Sequence, residues 1–225
     1  MNNNLGTSER TGILLRIGTL ELRCRAVCFD LDGVLADSHD HIDRAVTHWA
    51  ASRRIGMDNL AEASRSLTDV EFVRMAAPHL DPETEAGEIQ RIEYELAADT
   101  PPMPGALELY RSVPKRATAI VTSGSRHVVT RRLRSLGIPD PNILISADDV
   151  TAGKPAPEPY RAALRLLDIH PDDAIAIEDT IVGATSAKAA GMSVIGVGER
   201  LSRDWAGTLF ETCVPTLRHV TAAAA

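Results

Sequence analysis

The sequence is poor in cysteine, and it lacks an apolar run long enough to cross a membrane. Its three cysteines, Cys24, Cys28 and Cys213, are odd in number and lack the close spacing of a zinc site. Reduced thiols are therefore favoured over a disulfide framework, which predicts a cytoplasmic protein. The polar residues 1–10 show no signal-peptide pattern. We therefore expect no membrane partner.

Positive charge is also scarce, because 24 lysines and arginines face 31 acidic residues and leave a net charge of −7. This balance disfavours nucleic acid and anionic membranes as main partners. It does not exclude a phosphorylated small molecule, since a metal ion and a few cations can reverse the field inside one pocket. A cluster of arginines predicts a solvated helix face: Arg126, Arg131, Arg132 and Arg134.

Apolar runs alternate with helical patterns along most of the chain. Runs at 25–30, 117–122, 142–146, 174–178 and 193–197 predict buried strands, and patterns at 126–136, 157–167 and 182–190 predict helices. This alternation is typical of an α/β protein with a parallel, Rossmann-like sheet that is covered on both faces. Residues 13–23 alternate weakly and predict an extra strand or an ordered arm, whereas the alanine tail, 222–225, is expected to fray.

Between residues 39 and 103 the pattern changes to helices alone, at 41–53, 70–77 and 83–96. The segment ends in a proline-rich stretch, 100–105, that no helix can cross. We interpret it as an inserted helical cap, 39–103, on a core formed by 1–38 and 104–225. The alternative is one continuous fold with long helical crossovers.

Asp30 and Asp32 follow the first predicted buried strand, and Gly33 ends it. Ligands of open α/β sheets bind at the carboxyl ends of the strands. Two carboxylates this close repel each other unless a cation relieves them, so Mg²⁺ is a natural partner. The alternative is a solvated turn. Asp37 is expected to cap the next helix or to orient the loop, and Ser38 is expected to cap that helix.

Three later motifs also follow predicted strands or stand before a helix. Thr122, Ser123 and Gly124 form a turn whose backbone amides suit a phosphoryl oxygen, although simple helix capping is the alternative. Lys154 is one of three lysines, and the prolines that follow it restrict its backbone. Glu178 and Asp179 end a strand and add oxygen ligands, and Glu178 is equally consistent with an anchor for Lys154.

In this order the motifs resemble those of the haloacid dehalogenase (HAD) superfamily, and in particular the group with a helical cap after the first motif. The resemblance covers about residues 25–197. It implies that Asp30 is a nucleophile that forms an aspartyl-phosphate, and that Asp32 is the general acid and base. It further implies that Thr122 and Lys154 hold the phosphoryl group. The implied Mg²⁺ ligands are Asp30, the main-chain carbonyl of Asp32, and Asp179, with Glu178 as a further candidate.

The resemblance also separates rival activities. Dehalogenases of the superfamily lack the second acid, which is present here as Asp32. β-Phosphoglucomutases carry a histidine in the first cap helix at the position of Ile42. The sugar- and polyol-phosphate phosphatases often carry a His-Gly-Arg turn in the cap, where this chain has Arg65 to Thr68. Candidate substrate-binding residues are Ser123, Gly124, Ser125, Arg126 and Arg65.

The sequence therefore predicts a Mg²⁺-dependent phosphatase that hydrolyses a small phosphate monoester, most consistent with a sugar or polyol phosphate. The alternatives are a β-phosphoglucomutase-type phosphotransferase and a catalytically silent binding or regulatory protein. We expect a monomer or weak homodimer.

Overall fold

The computed structural model describes residues 12–56, 60–199, 201 and 209–225. The strands are β1 (Ile13–Ile17), β2 (Leu20–Cys24), β3 (Ala26–Phe29), β4 (Thr118–Val121), β5 (Leu144–Ile145), β6 (Ala174–Glu178), β7 (Ser193–Val197), β8 (Thr212–Val214) and β9 (Val220–Ala224). The helices are α1 (His39–Arg53), α2 (Ala61–Ser66), α3 (Asp69–Ala76), α4 (Pro82–Leu96), α5 (Ala106–Ser112), α6 (Arg126–Ser135), α7 (Glu158–Leu167) and α8 (Ile181–Ala189).

Six strands form a parallel sheet in the order β5-β4-β3-β6-β7-β8. Successive residues of β3 point to opposite sides, and both sides are buried. Val27 and Phe29 join one apolar cluster, while Ala26 and Cys28 join another. Burial on both faces explains why these strands appear in the sequence as continuous apolar runs. The predicted α/β fold class is confirmed.

The register of β3 with its neighbours determines which loops meet. Phe29 is paired with Ile120 of β4 and with Ile177 of β6. The backbone N–H of Asp30 then donates to the Ile177 carbonyl at 3.0 Å. The residues that follow these three strands therefore lie at one edge of the sheet.

Helices α1 to α4 lie between β3 and α5 and share an apolar cluster of their own, separate from the two clusters around the sheet. Trp49 of α1 is fully buried there, with its ring edge-on to Phe72 at 5.9 Å between centroids. The six-residue helix α2 was not predicted, because its sequence AEASRS shows no apolar periodicity. This helical insertion agrees with the predicted cap. The other tryptophan, Trp205, lies outside the described residues.

A second, three-stranded antiparallel sheet has the order β2-β1-β9. Its β1 strand confirms that residues 13–23 form an ordered element. The expectation of a frayed tail is wrong, since Ala222 pairs with Leu15 and Ala224 pairs with Ile13. Without β9, one edge of β1 would lack partners for its backbone N–H and C=O groups beside the buried side chains Ile13 and Leu15. The tail strand β9 supplies those hydrogen bonds. Among the described residues, none of the helices is both long and apolar enough to span a bilayer.

Candidate active site

Asp30 and Asp32 lie just beyond the carboxyl end of β3, and both are buried. The turn after them depends on Gly33, which has a φ of +79°. A Cβ at this position would overlap the Asp179 carboxylate. Glycine alone therefore allows the first loop to approach the loop after β6 this closely.

Lys154 is buried between the two acidic loops. Its Nζ donates to Asp30 Oδ1 at 2.6 Å, to Glu178 Oε1 at 2.7 Å and to the Val121 carbonyl at 3.0 Å. Burial alone would lower the pKa of Lys154, but the two carboxylates raise it above its ordinary value. Burial raises the pKa of Asp30, and Lys154 opposes that shift. The ammonium thus favours an ionised Asp30 in a dry site.

The Asp32 carboxylate is oriented by side chains from three elements. Ser38 Oγ donates to Oδ1 at 2.6 Å, Thr122 Oγ1 donates to Oδ2 at 3.2 Å, and the Arg132 guanidinium also donates to Oδ1. Ser38 does occupy the N-cap position of α1, but its side chain makes no capping bond. It binds Asp32 instead, so the expectation that Ser38 is simply a cap is corrected.

Three carboxylates meet where β3 and β6 end. Asp30, Glu178 and Asp179 offer oxygen atoms that all lie within 4.8 Å of one another, a cluster that could hold a metal ion. Asp179 Oδ1 is buried and has no hydrogen-bond partner among the described residues. An all-oxygen donor set with an unsatisfied buried oxygen fits a hard cation such as Mg²⁺. Glu178 is already engaged by Lys154 and by Tyr160, whose hydroxyl lies 2.6 Å from Oε1.

The turn after β4 brings the predicted small residues to the same cavity. Thr122 is buried, and its Oγ1 accepts from the backbone N–H of Gly124 at 3.1 Å. Ser123 Oγ donates to the carbonyl of Ser66, at the end of α2, at 2.8 Å. Thr122, Ser123 and Gly124 line one cavity with Asp30, Asp32 and Lys154.

The remaining candidate substrate residues separate into two groups. Arg65 lines the same cavity and forms a two-point ion pair with Asp43 of α1. Ser125 and Arg126 do not line it. The Ser125 hydroxyl lies 3.4 Å from His127 Nδ1, and Arg126 pairs with Asp149 at the surface. The structure therefore does not bring these two residues to the other site residues.

Arg132 was assigned to a solvated arginine face, and that prediction is wrong. Its side chain is fully buried in the cavity, bonded to Asp32 and 3.7 Å from Glu93 Oε2 of α4. The spacing did contain a signal, because Arg132 stands three and four residues after Val129 and Val128, which form the buried stripe of α6. An arginine within an apolar stripe requires a buried partner.

Two acidic residues of the helical insertion complete the cavity and were also missed. Glu93 is 5% exposed, and Asp69, at the start of α3, lines the same space. Burial raises the pKa of Glu93 to about 8, with Asp69 adding to that shift and Arg132 opposing it. Burial likewise raises the pKa of Asp69 to about 6, although Gln90 donates to it at 3.0 Å. Glu93 continues the buried positions of α4 after Ala86 and Ile89.

Comparisons with known proteins agree with this arrangement. A profile of the haloacid dehalogenase-like hydrolases matches residues 24–191. The chain is similar to hexitol phosphatase A of Escherichia coli (strain K12), with 31% identity over 181 residues that span 78% of this chain and 84% of that protein. It is also similar to β-phosphoglucomutase of Bacillus subtilis (strain 168), with 28% identity over 189 residues, 78% of this chain and 84% of that protein.

A solved structure shows the same fold. This is a HAD hydrolase, family IA, variant 3, from Entamoeba histolytica HM-1:IMSS, with a TM-score of 0.76 and 23% identity. The match covers 87% of this chain and 95% of that chain. The span matched by the profile, which is most of the sequence, contains every strand end that carries a site residue. The chain therefore belongs to the haloacid dehalogenase-like hydrolase family.

Proposed function

We propose that this protein is a Mg²⁺-dependent phosphatase that hydrolyses a sugar or polyol phosphate through an aspartyl-phosphate on Asp30. The protein is a phosphoric monoester hydrolase of the family identified above. The observation that carries the finer proposal is the meeting of Asp30, Asp32, Thr122 and Lys154 in one buried cavity. The similarity to a hexitol phosphatase supports a polyhydroxylated leaving group.

In the proposed organisation, residues 1–38 and 104–225 form the catalytic core and residues 39–103 form the cap. The separate apolar cluster of α1, α3 and α4 supports this division. Hydrogen bonds connect the cap with the core, among them those from the Ser123 hydroxyl to the Ser66 carbonyl at 2.8 Å and from the Gly153 N–H to Glu71 Oε1 at 3.2 Å. A cap in this position excludes water from the reacting atoms.

In the first step, a carboxylate oxygen of Asp30 attacks phosphorus, and the bond from phosphorus to the ester oxygen breaks. Lys154, whose Nζ lies 2.6 Å from Asp30 Oδ1, favours the ionised form of the nucleophile and can neutralise charge on the phosphoryl oxygens. Thr122 and the backbone N–H of Ser123 are assigned to the same oxygens.

Asp32 transfers the protons. In its protonated form it gives a proton to the leaving alcohol, and it then takes one from the water that cleaves the aspartyl-phosphate. Ser38 and Arg132 hold Oδ1, so the carboxylate keeps one orientation during both steps. Free phosphate and an alcohol are the products, and Asp30 and Asp32 return to their starting states.

Asp30, Asp179 and the main-chain carbonyl of Asp32 would hold Mg²⁺, with Glu178 as a further ligand or as the anchor of Lys154. When bound, the ion supplies positive charge that offsets the charge of the phosphoryl group. The unsatisfied buried Oδ1 of Asp179 supports this assignment.

Hydrolysis of p-nitrophenyl phosphate tests the proposal. We expect turnover with Mg²⁺, loss of turnover with EDTA, and a decrease of at least about a thousandfold in Asp30→Asn, because the nucleophile is removed. Asp172→Asn, at an exposed position, is the matched control and should retain wild-type activity. Wild-type activity in Asp30→Asn, or full activity in EDTA, would refute the mechanism.

The mutase alternative is weakened by Ile42. Its apolar side chain is buried and lines the cavity at the position where the mutase pattern has a histidine. The neighbouring His41 instead lies 3.3 Å from the Thr100 hydroxyl. Incubation with a hexose 1-phosphate, followed by ³¹P NMR, separates the activities. We expect free phosphate, and formation of a hexose 6-phosphate would establish the mutase.

A further inference from the structure

The part of the cavity that faces the helical cap is acidic. Asp69 of α3 and Glu93 of α4 line it together with Arg132 of α6. Glu93 is 5% exposed, and Arg132 is fully buried. The Nε and Nη2 atoms of Arg132 have no hydrogen-bond partner among the described residues. A buried, unsatisfied guanidinium beside two carboxyl groups is costly unless a ligand supplies hydrogen-bond partners.

The chemistry of that ligand follows from the charges. In the described part of the chain, the cations that line the cavity are Arg65, Arg132 and Lys154. Each already faces a carboxylate: Arg65 pairs with Asp43, Arg132 with Asp32, and Lys154 with Asp30. A second anionic group on the substrate would therefore meet Asp69 and Glu93, and the cation beside them, Arg132, already faces the charge of Asp32.

Hydroxyl groups suit the same surroundings. A hydroxyl donates to a carboxyl oxygen and accepts from a guanidinium N–H, so one hydroxyl can satisfy both kinds of group at once. Ser64 and Ser66 also line the cavity.

We propose that Asp69, Glu93 and Arg132 form a leaving-group subsite that selects an uncharged, polyhydroxylated alcohol and rejects a leaving group with a second negative charge. This inference rests on the proposed phosphatase function and specifies its substrate class. Asp69 and Glu93 determine specificity by direct contact with substrate hydroxyls. Arg132 contacts the same hydroxyls and also positions Asp32.

Kinetics with two esters test the hydroxyl contact. The variant Glu93→Leu should lower kcat/KM for sorbitol 6-phosphate about tenfold to hundredfold, because a buried substrate hydroxyl would lose its hydrogen-bond partner. Its kcat/KM for p-nitrophenyl phosphate, whose leaving group has no aliphatic hydroxyl, should fall by a smaller factor, so that the ratio of kcat/KM for sorbitol 6-phosphate to kcat/KM for p-nitrophenyl phosphate falls at least about threefold. Glu95→Leu, an exposed position on the same helix, is the matched control and should change neither value. Equal losses on both esters in Glu93→Leu would overturn the subsite, since Glu93 would then act only through Arg132 and Asp32.

A matched pair of small esters tests the charge argument. 2-Hydroxyethyl phosphate and 2-phosphoglycolate differ in that a neutral CH₂OH group in the first is a carboxylate in the second. The kcat/KM of the wild-type enzyme should be about tenfold or more higher for the neutral ester than for 2-phosphoglycolate. The double variant Asp69→Asn/Glu93→Gln should reduce this ratio of kcat/KM values. A wild-type preference for 2-phosphoglycolate would overturn the proposal. A wild-type protein that hydrolyses none of these four esters would refute the phosphatase function itself.

Discussion

Replacement of Glu93 by glutamine is expected to stabilise the folded protein, and to do so more strongly as the pH rises. Glu93 is buried near Asp69, Asp32 and Arg132. Burial and the two acidic neighbours disfavour its ionised form, and Arg132 opposes this effect only in part. Glutamine has nearly the same shape and keeps hydrogen-bonding atoms, but it carries no titratable proton. The variant therefore removes the free-energy cost that the raised pKa of Glu93 adds to folding, and it leaves the packing largely intact.

The pKa of Glu93 gives the size and sign of the effect. It is raised from 4.5 to about 8, so the unfolded chain loses this proton at lower pH than the folded chain. The contribution of Glu93 to stability is fully present below pH 4.5 and is lost as the pH rises through 8. Proton linkage then gives a cost of about 3 kcal/mol at pH 7 and of about 1 kcal/mol at pH 5. The gain in Glu93→Gln should be larger at pH 7 than at pH 5 by about 2 kcal/mol.

Urea denaturation at pH 5 and pH 7, with EDTA present so that no metal shifts the equilibrium, measures this difference. Comparison of the two pH values cancels any constant packing change in the variant. Glu95→Gln, at an exposed position, should show no such dependence. A Glu93→Gln variant whose stability relative to wild type is the same at both pH values, or falls at pH 7, would refute the assigned environment of Glu93.

Two further substitutions test the core of the site. Gly33→Ala should reduce kcat for p-nitrophenyl phosphate by about a hundredfold or more, because the Cβ of alanine would displace the Asp179 carboxylate from the site. A variant with the kcat of the wild type would contradict this prediction. Arg132→Met should lower the free energy of unfolding by about 3 kcal/mol or more, since Asp32 would lose a buried partner, whereas the exposed control Arg134→Met should have little effect. Urea denaturation measures the stability of the two arginine variants. Equal free energies of unfolding for Arg132→Met and Arg134→Met would contradict the buried pairing of Arg132 with Asp32.

The sheet could be predicted from the sequence because each of its main strands is buried on both faces. The runs that became β3, β4, β6 and β7 are mostly apolar and are followed by polar residues or glycine. The second sheet had no comparable signal. Strand β9 consists largely of small alanines, and its partner β1 lies about two hundred residues earlier in the chain. Such a pairing depends on tertiary contacts rather than on local pattern.

Asp30, Thr122 and Asp179 could be predicted as site residues because each follows a strand, and the parallel register alone brings them to one edge of the sheet. The residues that were missed are on helices. Arg132 lay in a cluster of arginines whose charge suggested solvent, although its position in the helix matched the apolar stripe. Periodicity was the better guide there, because burial depends on the helix face and not on residue type alone.

Arg132 also connects the two chemical tasks that the proposed reaction requires. It belongs to α6, it bonds to Asp32, the proposed acid–base group, and it lies 3.7 Å from Glu93 on α4 of the helical insertion. The orientation of Asp32 therefore depends on where α4 is held. A leaving group that bonds to Glu93 and Arg132 would be placed beside the carboxyl group that must protonate it. Selection of the alcohol and protonation of that alcohol would then be performed by adjacent side chains.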